Sequence, residues 1–269
     1  MPPSELISAA DIEKFGYCPL SWWLSRGLAP EEGPELAEGE AKHEAASADL
    51  KGIEVHEAKA REAETGVLYF AIAASIVAIV GVQFLSSESV QVSYTLGAIA
   101  LIWLLAAVYF LYRSIGALQI ARTTRDRYAV RGDLVYIDSA AEKPKLFVSK
   151  KHGLSGRPDA VVMDGENHIP VELKTGRVPR GPLFSHILQV AAYCFLLEEE
   201  YGKPPPYGII RYGETSFEIE YNEDQKKLVL QKLAEMRTAI TKGGAHRNHN
   251  RPGKCIHCSR RSGCPERLA

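Results

Sequence analysis

An α/β fold interrupted by a helical hairpin is predicted for this chain by three observations. Short runs rich in β-branched and aromatic residues recur from Leu134 onward, two of them flanking an Asp-Gly turn signal. An amphipathic helical stretch lies among these runs, and two uncharged apolar runs of 19 residues interrupt the pattern before them. With 269 residues and 46% apolar content the chain can bury a full core, and its composition excludes a disordered protein. The formal net charge of −1 gives no global attraction to nucleic acid, so any such surface must be local.

Residues 5–64 read as helical. Ser8-Ala9-Ala10-Asp11 resembles an N-terminal cap, and Glu35 to Glu64 is a strongly acidic run rich in Ala, Glu and Lys. It leads straight into the first apolar run, Val67 to Leu85; Tyr94 to Tyr112 is the second. At ~1.5 Å per helical residue each reaches about 28 Å, close to a ~30 Å hydrocarbon core. The connection Ser86 to Ser93 has no Lys or Arg, whereas Lys59 and Arg61 precede the pair and Arg113, Arg122, Arg125 and Arg127 follow it. The positive-inside rule therefore predicts a two-pass cell-membrane protein with both termini in the cytoplasm. Tyr69, Tyr94, Tyr109 and Tyr112 add aromatics near the span ends. A buried helical hairpin is the alternative reading of the same runs. Met1 to Gly16 lacks a basic region followed by an apolar one, so no signal peptide is predicted.

Arg113 to Arg131 should leave the hairpin as a basic helix. Strands are predicted at Leu134–Ile137, Lys145–Val148, Ala160–Met163 and His168–Lys174, the last two joined by the Asp164-Gly165 turn. Leu183 to Tyr201 is a helix ended by Pro204-Pro205-Pro206, and strands at Tyr207–Tyr212 and Ser216–Glu220 precede a helix over Glu223–Lys242. The predicted organisation is an N-terminal helical part (1–64), an inserted hairpin (65–113), a core (114–242) and a cysteine-rich segment (243–269) with many Lys and Arg side chains.

Four short patterns carry candidate chemistry: Gly39-x3-His43, Gly156-Arg157-Pro158-Asp159, Glu172-Leu173-Lys174 and Gln189-x3-Tyr193. Asp159 is expected to close one strand, and alternation along the next leaves Glu172 and Lys174 on one face with Leu173 toward the core. Asp159 and Glu172 suit oxygen ligation of Mg2+ or Mn2+, the Leu173 carbonyl can add a ligand, and a His43 imidazole would favour Mn2+. Beside such a metal, Lys174 can orient the attacking water or stabilise charge on a phosphorane-like transition state. On the following helix Ile187, Val190, Cys194 and Leu197 form the core stripe, which leaves Gln189 and Tyr193 free to face substrate. A lone Glu-x-Lys is ordinarily a surface ion pair. The order of all four patterns predicts phosphodiester hydrolysis.

Five cysteines in a chain expected to face the cytoplasm are poor candidates for disulfides. Cys18-Pro19 and Cys255-x2-Cys258-x5-Cys264 suit thiolate ligation of either zinc or an iron-sulfur cluster. His246-x2-His249 with Cys255-x2-Cys258 offers a competing Cys2His2 zinc set. Cys194 reads as a small buried apolar residue. His56, His152, His168, His186 and His257 show no partner spacing and receive no role.

These patterns together resemble the RecB-like branch of the PD-(D/E)xK nucleases. With cysteines at both ends, the chain is most similar to the CRISPR-associated exonucleases (Cas-four), and the resemblance spans most of the part outside the apolar runs. It implies a restriction-endonuclease-like core, a mixed central sheet flanked by helices, and metal-dependent DNA cleavage, often from single-strand ends. It further implies DNA contacts at Gln189 and Tyr193, and a 4Fe-4S cluster on Cys18, Cys255, Cys258 and Cys264 that staples the termini together. Implied partners are CRISPR integrase proteins in spacer acquisition, or a helicase in DNA repair, since the chain has no Walker-type glycine-lysine loop of its own. The family does not ordinarily carry two membrane spans between its histidine and aspartate motifs. Two rival readings are a non-catalytic protein that tethers DNA to the membrane and a zinc-binding membrane scaffold.

Overall fold

Ser8 sets the start of the first helix. Its Oγ accepts the Asp11 N–H at 3.0 Å while Asp11 Oδ2 accepts the Ser8 N–H at 3.1 Å, a reciprocal cap whose loss typically costs about 0.5–2 kcal/mol. The computed structural model describes residues 6–29, 34–84, 90–128, 133–137 and 145–269, with the backbone alone described at 34–40, 43 and 133–137. Strand β1 (Ile7–Ser8) is followed by α1 (Ala9–Tyr17) and α2 (Pro19–Ser25). The helical reading of residues 5–64 is therefore interrupted, and the cause is local. A residue before proline is driven out of the helical region, and Cys18 sits at φ −163°, ψ 118° as the extended joint between the two helices.

Helices α3 (Pro34–Gln83) and α4 (Val90–Tyr128) come next, and the chain divides into two compact units: Met1–Ala48 with Tyr128–Ala269, and Asp49–Arg127. Within Asp49–Arg127 the two helices run antiparallel. Glu57 Oε1 meets Arg125 Nε at 2.7 Å, Phe70 stacks on Phe110 with ring centroids 5.5 Å apart, and Gly81 lies against Leu96. The close approach at Gly66 needs glycine, because a Cβ there would sit 2.9 Å from the Phe110 ring. Outward, Leu68, Ile72, Ile76, Ile79, Leu101 and Leu105 are exposed. Glu44–Gln83 and Val90–Tyr128 are each long and apolar enough to cross a membrane, and only 11% of the most apolar window of each is buried.

The other unit is a mixed-sheet α/β fold. Its strands are β2 (Asp133–Ile137), β3 (Phe147–Ser149), β4 (Leu154–Gly156), β5 (Ala160–Asp164) and β6 (Asn167–Lys174), then α5 (Phe184–Tyr201), β7 (Tyr207–Tyr212), β8 (Thr215–Glu220), α6 (Glu223–Lys242) and α7 (Pro252–Ile256). Five strands pair in the order β2-β5-β6-β7-β8, and the one parallel step, β6 to β7, is the step bridged by α5. Gly165 takes φ 59° in the turn between β5 and β6, as the Asp-Gly signal requires. A second, three-stranded sheet in the order β1-β4-β3 pairs Ile7 with Leu154. Neither β1 nor β4 was anticipated, because strands of two and three residues are too short to show alternation.

Helix α5 is the centre of the core. Its apolar side chains pack with Ile12 and Phe15 of α1, Ile210 of β7, and Val229, Leu233 and Met236 of α6. Partners on several sides leave little of α5 for solvent before its last turn: every residue from Leu188 to Leu197 is buried. Two glycines allow the approach of strands. A Cβ at Gly208 would lie 2.3 Å from Val190 Cγ1, and one at Gly156 would lie 2.9 Å from the Tyr193 ring.

Candidate active site

Asp159 does not close a strand; it sits one residue ahead of β5, after the irregular Arg157-Pro158 step. Antiparallel pairing sets Ala160 opposite Val171, which brings Asp159 alongside the Glu172 position of β6. There Asp159 Oδ2 accepts the Leu173 N–H at 2.6 Å, and the Leu173 side chain, 5% exposed, lies on the strand face opposite Glu172 and Lys174. Asp159 and Glu172 are each only 6% exposed. Glu172 Oε1 lies 3.0 Å from Lys174 Nζ, whereas Oε2 is buried with no hydrogen-bond partner. Burial and the neighbouring Asp159 charge push the Glu172 carboxyl up to about 8 despite the pull of Lys174. A buried carboxylate oxygen without a partner, next to a second buried carboxylate, is what a hard divalent cation satisfies, so this pair fits Mg2+ or Mn2+.

Lys174 is caged. Its Nζ donates to Gln189 Oε1 at 2.6 Å and lies 3.5 Å from Glu13 Oε2, besides the contact with Glu172. Burial alone would lower its pKa, but the charges of Glu172, Glu13 and Asp159 outweigh burial and hold it above the usual lysine value. The Gln189 amide nitrogen donates in turn to Tyr193 Oη at 2.9 Å. Both Gln189 and Tyr193 are 4% exposed, which corrects the expectation that they lie off the core stripe. Instead they face the carboxylate–lysine group from within, because α5 is enclosed at this level. Burial, followed by the charges of Glu172 and Asp159, pushes the Tyr193 hydroxyl far up, so it stays protonated.

The backbone of His43 is part of α3, and its side chain lies outside the described residues. The adjacent α3 residues Lys42 and Ala46 line an open pocket together with Leu173, Lys174, Thr175 and Arg211. That stretch of α3 therefore shares a pocket with Lys174.

Three further residues join the site that sequence reasoning missed. Glu13 Oε1 lies 3.4 Å from His186 Nε2, and His186 Nδ1 lies 2.5 Å from Tyr212 Oη. His186 had been given no role, yet its spacing of three from Gln189 and seven from Tyr193 marks one helical face and was available as a signal. Glu13 had none, since nothing local in α1 points to β6.

Cys18, Cys255, Cys258 and Cys264 line one pocket with Tyr17, Ser21 and several cationic side chains. Tyr17 Oη donates to the Lys254 carbonyl at 2.7 Å and Lys254 Nζ donates to the Tyr17 carbonyl at 2.8 Å, stitching the two ends of the chain beside the cysteines. Arg260, in the same pocket, is 9% exposed with Nε and Nη1 lacking hydrogen-bond partners, so this buried guanidinium suits an anionic occupant. Of the alternative Cys2His2 set, His249, Cys255 and Cys258 line this pocket, whereas His246 is 91% exposed and pairs with Glu266 at 2.6 Å, away from the pocket lining. Among the described residues no three His, Cys, Asp or Glu side chains converge as tightly as one metal ion requires. At the carboxylate pair, the imidazole that would be third lies outside the description.

A mixed sheet that presents Asp159 just ahead of one strand and Glu172-x-Lys174 along its neighbour has the frame of a PD-(D/E)XK nuclease. The profile of the PD-(D/E)XK nuclease superfamily matches residues 6–265, and the chain belongs to that superfamily. It is also similar to the CRISPR-associated exonuclease Cas4 of Francisella tularensis subsp. novicida (strain U112), with 26% identity over 119 residues. That stretch is 44% of this chain and spans 60% of the length of the relative.

Proposed function

We propose that the protein is a membrane-anchored, metal-dependent deoxyribonuclease that degrades single-stranded DNA from its ends. The observation that carries the reading is the orphaned Glu172 Oε2 beside Asp159, with Lys174 held against the same carboxylate. Asp159 and Glu172 would hold the Mg2+ or Mn2+ ion, with the Leu173 carbonyl and His43 as further ligands. Bound there, a divalent ion supplies Lewis-acid polarisation of the phosphate and acidification of a water. Lys174 supplies the positive charge that stabilises the extra negative charge of the transition state, and Gln189 fixes its direction. Tyr193 steadies Gln189, and the exposed Lys42 on the neighbouring pocket suits a phosphate backbone. The exonuclease part of this reading comes from the likeness to the exonuclease Cas4, and the single-strand part from the family resemblance alone.

Membrane anchoring is supported by the exposed apolar face of α3 and α4, a patch that water-soluble proteins rarely carry at this size. Lys59 and Arg61 precede the hairpin and Arg113, Arg122, Arg125 and Arg127 follow it, while its turn has no Lys or Arg, a pattern that supports a cytoplasmic nuclease unit. A 4Fe-4S cluster is supported by four cysteines that line one pocket beside the buried Arg260 guanidinium. Cys18, Cys255, Cys258 and Cys264 would hold it, and its role would be to pin the C-terminal segment to α1 and α2. The cellular setting that follows is spacer acquisition with CRISPR integrase proteins in antiviral defence, or DNA repair with a helicase.

The test is cleavage of end-labelled single- and double-stranded DNA by the detergent-solubilised full chain in Mn2+ or Mg2+. Lys174→Ala should lose at least about 100-fold in rate while DNA binding survives. Binding without cleavage by the wild type would instead make the protein a tether. Anaerobic purification should yield a brown protein with iron-sulfur absorbance, and a colourless zinc protein would overturn the cluster.

A further inference from the structure

The Lys174 ammonium stands between two carboxylates of different standing. Glu172 lies 3.0 Å away and is the candidate metal ligand; Glu13 lies 3.5 Å away on α1 and has no part in the carboxylate pair. Once Glu172 serves a cation, the lysine loses much of that partner and stands beside a second positive charge. A counter-charge off the metal is then needed to keep the ammonium in place. We propose that Glu13 is the positioning residue of Lys174 and that His186 and Tyr212 act through it, an inference that rests on the nuclease reading above.

The contacts close into a ring across four elements. Glu13 of α1 meets His186 of α5 at 3.4 Å, and His186 meets Tyr212 of β7 at 2.5 Å. Tyr212 is the register partner of Lys174 across the parallel β6–β7 pair, so the ring returns to the strand where it began. Tyr212 is itself fixed: it is 1% exposed and accepts the Leu183 N–H at 3.3 Å. When the Tyr212 hydroxyl donates to His186 Nδ1, the imidazole N–H stands at Nε2, facing Glu13. Helix α1 has little room to move, because a Cβ at Gly16 would lie 2.6 Å from Leu188 Cδ1 of α5, one turn from the Glu13–His186 contact. Stability does not call for this arrangement, since ion pairs buried in a core are ordinarily matched or surpassed by apolar side chains of the same volume. Holding one ammonium to a fixed direction does.

Near-isosteric variants of the full chain test this in detergent with Mn2+. Glu13→Gln should lower kcat about 10- to 100-fold, with KM for DNA, the half-saturating Mn2+ concentration and Tm unchanged. Tyr212→Phe should lower kcat by a smaller factor, and the double variant should be no slower than Glu13→Gln alone, because both changes act on one device. A Glu13→Gln kcat within about twofold of wild type, a matching fall in Tm, or effects that multiply in the double variant would each overturn the proposal. Wild-type protein that is inert on DNA in Mn2+ overturns the nuclease reading itself, before any variant is compared.

Discussion

Gln189 Oε1 lies 2.6 Å from Lys174 Nζ, so the helix pattern Gln189-x3-Tyr193 and the strand pattern Glu172-x-Lys174 form one hydrogen-bonded device. Gln189→Ala removes the neutral acceptor that aims the ammonium and leaves the buried Tyr193 hydroxyl without its donor. The expected outcome is a kcat lowered about 10- to 100-fold. Stability should fall by about 1–3 kcal/mol, read from urea unfolding of the same preparation.

Metal binding should be coupled to proton release. The Glu172 carboxyl, raised to about 8 by burial and by Asp159, holds a proton more readily than an ordinary glutamate when no metal is bound. A cation must displace that proton, so Mn2+ affinity should tighten about tenfold per pH unit up to about pH 8 and then level off, as followed by calorimetry in buffers of different ionisation heat. Stability of the metal-free protein should run the other way. Its folded state holds this proton more tightly than the unfolded chain, so the contribution is fully present below the ordinary glutamate range and is lost as pH rises through about 8. A Mn2+ affinity flat across that interval would remove Glu172 from the ligand set.

Gly156→Ala probes the approach of β4 to α5. The added Cβ would lie 2.7 Å from Leu196 Cδ1 and 2.9 Å from Tyr193 Cε1, too close for either without movement. Overpacking of this kind costs about 1–3 kcal/mol, and the displaced ring should carry Gln189 with it. Thermal unfolding and kcat should therefore fall together, in contrast to Glu13→Gln.

Ile76 tests the hairpin. It is 57% exposed near the middle of the first apolar run. Ile76→Arg should oppose insertion by roughly 2.5–3.5 kcal/mol and shift protein from the membrane pellet to aggregates after expression. Equal soluble yield of this variant and the wild type, with neither in the membrane fraction, would sink the anchoring.

Much of the site was legible because its parts are local. Alternation along a strand put Glu172 and Lys174 on one face, and the Asp164-Gly165 turn joined their strand to the one that follows Asp159. What misled was also local: the apolar stripe on Leu183–Tyr201 suggested a two-faced helix, whereas α5 is packed on several sides and encloses Gln189 and Tyr193. Cys18-Pro19 carried a helix-break signal that a composition reading of residues 5–64 passed over.

The sequence by itself determined the order of the motifs, the strand and helix periods that carry them, and the two apolar runs, since each depends on residues a few positions apart. Only the tertiary structure decided that the Asp159 carboxylate meets the Leu173 amide, that Glu13 comes to Lys174, and that Cys18 shares a pocket with Cys255, Cys258 and Cys264. The physical reason is chain separation. These contacts join segments 14 to 246 residues apart, and their geometry follows from how α1 and α5 pack against the sheets, which no local pattern encodes.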